Sequence, residues 1–166
     1  MSKEYFVNDD DFLVSKTDTK GIITYCNEPF INIVGASQSE LLGKPHNIIR
    51  HQDMPKVVFW LLWQRVQSKQ EIFAYVKNRR FDGGFYWVFA NVTASLDENG
   101  KIIGYYSVRR RPNKKAINFI SPIYQILLNA ENSGGLEASK RLLEQILKDK
   151  NISYDELIIN LQRGLI

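Results

Sequence analysis

The sequence predicts an α+β fold: a five-stranded antiparallel sheet with helices on one face, followed by a C-terminal helical extension. Three observations predict it. Before Pro112, short β-branched and aromatic runs alternate with Gly-bearing turns. Their order, two strands, several helices and then three strands, suits helices laid on an antiparallel sheet. After Pro112, apolar residues recur at helical spacing to the end of the chain. The division falls between a sheet domain, 1–111, and a helical extension, 112–166.

Phe12–Thr17 and Ile22–Cys26 are two strands about the turn Asp18-Thr19-Lys20-Gly21, hence a hairpin. Asn27, Glu28 and Pro29 then combine a polar cap, an early acid and an early Pro, the signals of a helix start, and Gly35 supplies the stop. Ser39–Gly43 predicts one or two further turns. Lys56–Ser68 is the longest helix of this half. Its Val57, Val58, Phe59, Trp60, Leu61, Leu62, Trp63 and Val66 make it apolar nearly all round, so it must be buried on more than one side or line something apolar.

Three strands follow: Ile72–Asn78, then Phe85–Leu96 after Asp82-Gly83-Gly84, then Ile102–Arg109 after a turn containing Asn99-Gly100, a strong hairpin signal. Beyond Pro112, Ile117, Ile120, Tyr124, Leu127 and Leu128 predict a helix despite Pro122, and Asn132-Ser133-Gly134-Gly135 breaks it. Leu136, Leu143, Ile146 and Leu147 predict a second helix. Ser153 and Glu156 form a capping box for a third. None of these helices is stable alone, so they must pack on each other, the sheet or a partner.

The 166 residues, 44% hydrophobic and 24% charged, suit one folded domain with an appendage. A net charge of +4 is too mild to imply nucleic acid. No apolar run reaches the roughly 20 residues of a membrane span, and the acidic start carries no leader signature, so the expected location is cytoplasmic without direct membrane insertion. The single Cys26 excludes an internal disulfide and a Cys-based zinc cluster and reads as a small core residue. There is no nucleophile–base–orienter set and no phosphate loop, so no enzyme is expected. Arg109-Arg110-Arg111 with Lys114-Lys115 reads as a solvated basic face or a contact for an acidic partner.

Val14–Asp18 through Tyr25–Phe30, Gly43–Pro55, Tyr75–Arg80, Tyr86–Val92 and Gly104–Arg109, in this order, resemble a PAS domain. The segment Gly43–Pro55 is similar to that of the flavin-binding PAS domains of bacterial aerotaxis receptors. The resemblance runs from Phe6 to Pro112 and is nearest to PAS-only energy-taxis proteins of epsilon-type bacteria. It implies non-covalent FAD, redox state as the signal, no turnover, and a separate membrane-bound chemoreceptor-like transducer as partner; homodimerisation is also compatible. Gln52 stands where that family has Pro, and Ile72-Phe73 where the aerotaxis receptor has Trp. Those departures favour the alternative of a cofactor-free interaction module. His46 and His51 leave a haem-based gas sensor as a lesser reading.

An isoalloxazine needs an apolar slot and a few polar groups to orient it. Under the resemblance, Arg50 suits the pyrophosphate. His51 could donate to phosphate or ribose, and Asp53 could accept from ribose, orient His51 or cap the following helix. Trp60 and Trp63, three apart on the apolar helix, could wall the slot or be plain core. Asn27 could bond the ring edge or cap its helix. Asn78 could do the same if it faces inward, as it does if Tyr75 and Lys77 face out.

Overall fold

The computed structural model describes all 166 residues. A short strand β1 (Glu4–Tyr5) precedes the hairpin β2 (Leu13–Thr17) and β3 (Ile23–Cys26). Next come α1 (Glu28–Val34), α2 (Gln38–Leu41), a 3₁₀ turn (His46–Ile49) and α3 (Lys56–Gln67). The strands β4 (Ile72–Arg79), β5 (Phe85–Leu96) and β6 (Ile102–Arg110) complete the sheet, and α4 (Lys114–Asp149) and α5 (Tyr154–Gln162) complete the chain.

The five predicted strands are antiparallel neighbours in the order β3, β2, β6, β5, β4. A sixth strand makes the sheet mixed. β4 covers β5 from Phe85 to Val92, whereas β6 joins β5 only from Phe89 onward. The start of β5 therefore has a free edge, which β1 fills in parallel through Glu4–Phe85 and Tyr5–Tyr86.

The predicted helix signals act as the sequence implies. Asn27 Oδ1 accepts from the Phe30 amide at 3.2 Å, and Gly35 ends α1 with φ 72°, a left-handed conformation that glycine adopts without a Cβ clash. Ser153 and Glu156 make their reciprocal capping bonds at α5. α4 bends sharply at Gly135 (φ 72°, ψ −171°), within the predicted break. Pro122 lies on the exposed side of α4, while Ile120 and Tyr124 hold that turn against the core.

Strand alternation sorts the sheet into two faces. On the inner face, packed under α1–α3, lie Ile72, Ala74, Val76 and Asn78 of β4, Val88, Ala90 and Val92 of β5, and Tyr105, Ser107 and Arg109 of β6. Phe30 and Val34 of α1 are completely buried against it. The outer face carries Phe73, Tyr75, Trp87 and Phe89, and there the C-terminal extension docks. The Tyr124 hydroxyl donates to the Tyr75 carbonyl at 2.7 Å, and the Tyr154 hydroxyl to the Phe73 carbonyl at 2.8 Å. Helices thus lie on one face of the sheet up to β6, and the extension covers the other at the β4 end. α3 touches both the sheet and α4, so it is buried on two sides, as its apolar circumference requires.

Candidate functional site

A cavity of about 210 Å³ lies between α3 and the inner sheet face. Phe59, Leu62 and Trp63 of α3 wall it on one side, and Val76, Ala90 and Val92 on the other. The Trp63 ring is held edge-on to Tyr105, with centroids 5.0 Å apart. Exposed Lys20 and Asn47, with Gly21, flank its lining toward solvent.

The polar side of the cavity is formed by Ser15, His46, Asn78, Ser107 and Arg109. Arg109 is 4% exposed, and its partners are all neutral. Its guanidinium donates to Ser15 Oγ at 2.7 Å, to His46 Nε2 at 2.6 Å and, at 3.4 Å, to the Leu13 carbonyl. Accepting that bond requires an uncharged imidazole with its proton on Nδ1. Burial, with the nearby charges of Arg109 and Arg50, pushes the His46 pKa down to about 3. Burial pulls Arg109 itself down to about 10.

Arg50 lies beside this floor with its guanidinium 3.6 Å from the Phe59 ring centroid. Its Nε is buried without a hydrogen-bond partner, as are Ser107 Oγ in the cavity lining and the Tyr86 hydroxyl on the same sheet face. An orphaned buried polar atom costs about 1–3 kcal/mol, and native structures contain few. Here two of the three, on Arg50 and Ser107, belong to residues that line one cavity, which also holds two guanidiniums. The arrangement suits a flat, largely apolar molecule whose polar edge accepts hydrogen bonds or bears negative charge.

Arg50, Trp63 and Asn78, named from the sequence, line this cavity. Asn78 does so because Lys77 turns to the outer face. Trp60 does not line it. Successive helical residues are about 100° apart, so Phe59 and Trp63, at i and i+4, share a face that Trp60 leaves. Trp60 instead packs beneath Lys140 of α4, 4.1 Å from Nζ to its ring centroid.

His51 is also placed elsewhere. Arg50 bridges Asn78 in extended conformation, so consecutive side chains diverge. His51 packs edge-on to Phe85, and its Nδ1 accepts from the Asp53 amide at 3.0 Å. Burial first, and Lys77 next, lower its pKa. Asp53 neither lines the cavity nor caps α3; it pairs with Lys77 at 2.7 Å. Asn27 is consumed by structure: its Oδ1 accepts from Val14 as well as Phe30, and its Nδ2 donates to the Phe12 carbonyl at 2.8 Å. For a haem, His46 would have to give up the Nε2 bond to Arg109, and His51 lies outside the cavity.

Sequence reasoning missed Ser15, His46, Ser107 and Arg109 as a set. The basic run Arg109–Arg111 is divided by strand alternation: Arg109 points into the core, Arg110 lies over Phe89, and Arg111 pairs with Asp9 at 3.6 Å. Parity within β6 was the available signal. It was weak, because both of its faces mix apolar and polar residues.

The structure is thus an antiparallel sheet, extended by one short parallel strand, with short helices closing over a half-polar cavity on its inner face. A family model described as the PAS fold matches residues 23–109, and the chain belongs to that family. It is 40% identical over 134 residues to the aerotaxis receptor of Escherichia coli (strain K12), covering 81% of this chain and 25% of that one. It is 28% identical over 97 residues to a nitrogen fixation regulatory protein of Klebsiella pneumoniae, covering 58% and 20%. The chain therefore spans a quarter or less of these relatives' lengths. Among solved structures, a PAS domain from Colwellia psychrerythraea matches with TM-score 0.57 at 18% identity, covering 62% of this chain and 87% of that one. A light-oxygen-voltage domain studied with a flavin analogue matches with TM-score 0.57 at 20% identity, covering 74% and 87%. Likeness at that identity speaks to the fold. No helix of the chain is long and apolar enough to cross a membrane.

Proposed function

We propose that this chain is a non-catalytic redox sensor that binds FAD non-covalently in the α3 cavity and passes the ring's state to a separate chemoreceptor-type transducer. The observation that carries this reading is the cavity itself: an aromatic and aliphatic slot whose polar side holds two guanidiniums and unpartnered polar atoms. The 40% identity to an aerotaxis receptor supports the choice of a flavin and of a taxis role; the PAS-only energy-taxis type is a proposal that rests on the sequence resemblance alone.

The residues present fit the group. Phe59, Leu62, Trp63, Val76 and Val92 would exclude water from the ring's flat faces. Asn78 and Ser107 would orient its polar edge. The cavity accommodates a ring rather than a whole dinucleotide, which leaves the rest of the molecule to the lining's open side, near Lys20 and Asn47. Bound flavin supplies reversible electron uptake, which places negative charge or an added proton on the ring. Arg109 is a buried positive charge beside it, and Arg50 a partly buried one. His46 keeps Arg109 oriented while remaining neutral, so the floor gains no compensating carboxylate.

The test is the absorbance of freshly purified protein, followed by titration with FAD. Flavin bands, abolished by Arg50→Ala with the fold retained by circular dichroism, are the expected result. Absence of bands together with no binding of added FAD refutes the reading. A colourless protein that still pairs with a transducer would instead indicate a cofactor-free adaptor.

A further inference from the structure

We infer that Glu131 is the joint through which the C-terminal helices read the cavity, with α3 as the moving part; the inference rests on the cavity being the ligand site. α3 starts after Pro55 with no cap from its own segment and no acid in its first turn. An uncapped helix start leaves amide donors and partial positive charge unanswered. Glu131 answers both from far along the chain, accepting from the Lys56 amide at 2.8 Å and the Val57 amide at 2.9 Å. It is a positioning residue that touches nothing in the cavity.

Glu131 sits four residues before the Gly135 bend, and its other contact crosses that bend. The Ser139 hydroxyl, completely buried, lies 3.0 Å from Glu131 Oε1 and 2.9 Å from the Leu136 carbonyl, sharing one proton between them. One carboxylate therefore ties together the start of α3, the segment of α4 before the bend and the segment after it. Two further contacts connect α3 to the extension. Lys140 covers Trp60, and at the far end of α3 the Arg65 guanidinium binds both carboxylate oxygens of Asp155, at 3.0 and 2.9 Å, in the first turn of α5.

The geometry makes α3 a partition. Phe59, Leu62 and Trp63 face the cavity, and Trp60, Arg65 and the amino-terminal amides face the extension. A change in what fills the cavity cannot shift α3 without pulling on Glu131. Gly135, at a backbone conformation that most residues avoid, is the place where the two segments of α4 can change angle.

Amide hydrogen exchange of residues 136–149 in the full chain tests this. The cavity is perturbed in two ways, by adding FAD and by Trp63→Ala, and each perturbation is repeated in Glu131→Gln and in Ser139→Ala. Ser139→Ala leaves α3 capped and cuts only the tie across the bend, so it decides the matter should Glu131→Gln fail to fold. With Glu131 and Ser139 intact, a cavity perturbation should change exchange in 136–149 by between about twofold and thirtyfold, the span of coupling that packed two-state elements carry. The change should shrink in both variants, leaving at most the part that Lys140 over Trp60 and the Arg65–Asp155 pair carry. A silent 136–149 segment under both perturbations, or a full response retained in either variant, overturns the inference. If FAD does not bind, the flavin reading falls, and the Trp63→Ala comparison still decides this one.

Discussion

His46 should make the protein acid-sensitive in a way that a single substitution removes. In the folded state its pKa is about 3, against an ordinary 6.5, because it is buried and faces Arg109 and Arg50. The unfolded chain binds a proton as pH falls through 6.5, and the folded chain does not until pH nears 3, so protonation favours unfolding across that window. The stability associated with neutral His46 is fully present above pH 6.5 and is lost progressively below it. At pH 4.5, two pH units below the unfolded value, the loss is roughly 3 kcal/mol at 1.36 kcal/mol per unit. His46→Gln keeps an oxygen to accept from Arg109 and cannot titrate. Urea midpoints for both proteins at pH 7.5 and pH 4.5 separate this contribution from that of the carboxylates, which titrate alike in the two. The wild-type midpoint should fall further by on the order of 1 M, given typical urea slopes. Equal falls in the two proteins would refute the buried, neutral, Arg-bonded state of His46.

Other consequences are equally direct. Phe30→Ala empties a completely buried site between α1 and the sheet and should cost about 3–5 kcal/mol in chemical denaturation. Asn27→Ala removes the α1 cap and the ties to β2 and should lower stability by about 1–2 kcal/mol. Tyr124→Phe deletes the buried bond to the Tyr75 carbonyl and should cost about 1 kcal/mol, read as a lower thermal midpoint. Asp155→Asn weakens a half-exposed pair with Arg65 and should cost no more than about 1 kcal/mol, with the difference shrinking at high salt.

The elements of the fold were legible because their signals are local. Asn27 and Gly35 bracket α1, Ser153 and Glu156 start α5, and Asn99-Gly100 turns β5 into β6, each through bonds within a few residues. β1 was not legible: a two-residue strand has no period, and it exists only because β5 outruns β6. In the site, Asn78 was readable from parity with Val76, and Arg50 from its setting in Gly43–Pro55. His51 and Asp53 share that setting, yet the bridge between Arg50 and Asn78 turns His51 to the outer face, where Asp53 also pairs with Lys77. Trp60 and Trp63 looked equivalent at three-residue spacing, and only the position of α4 distinguished them.

Local chemistry in the chain was enough to determine a sheet of hairpins, an all-round apolar α3 and a bent helical tail, since turns, caps and periodicity act over a few bonds. Tertiary structure alone decided that Arg109 enters the core while Arg110 stays outside, that His46 becomes its neutral partner, and that α3 takes its cap from Glu131. Those outcomes depend on which groups meet after water is excluded, and residues separated by 63 or 75 positions carry no mutual signal until folding brings them within hydrogen-bond distance.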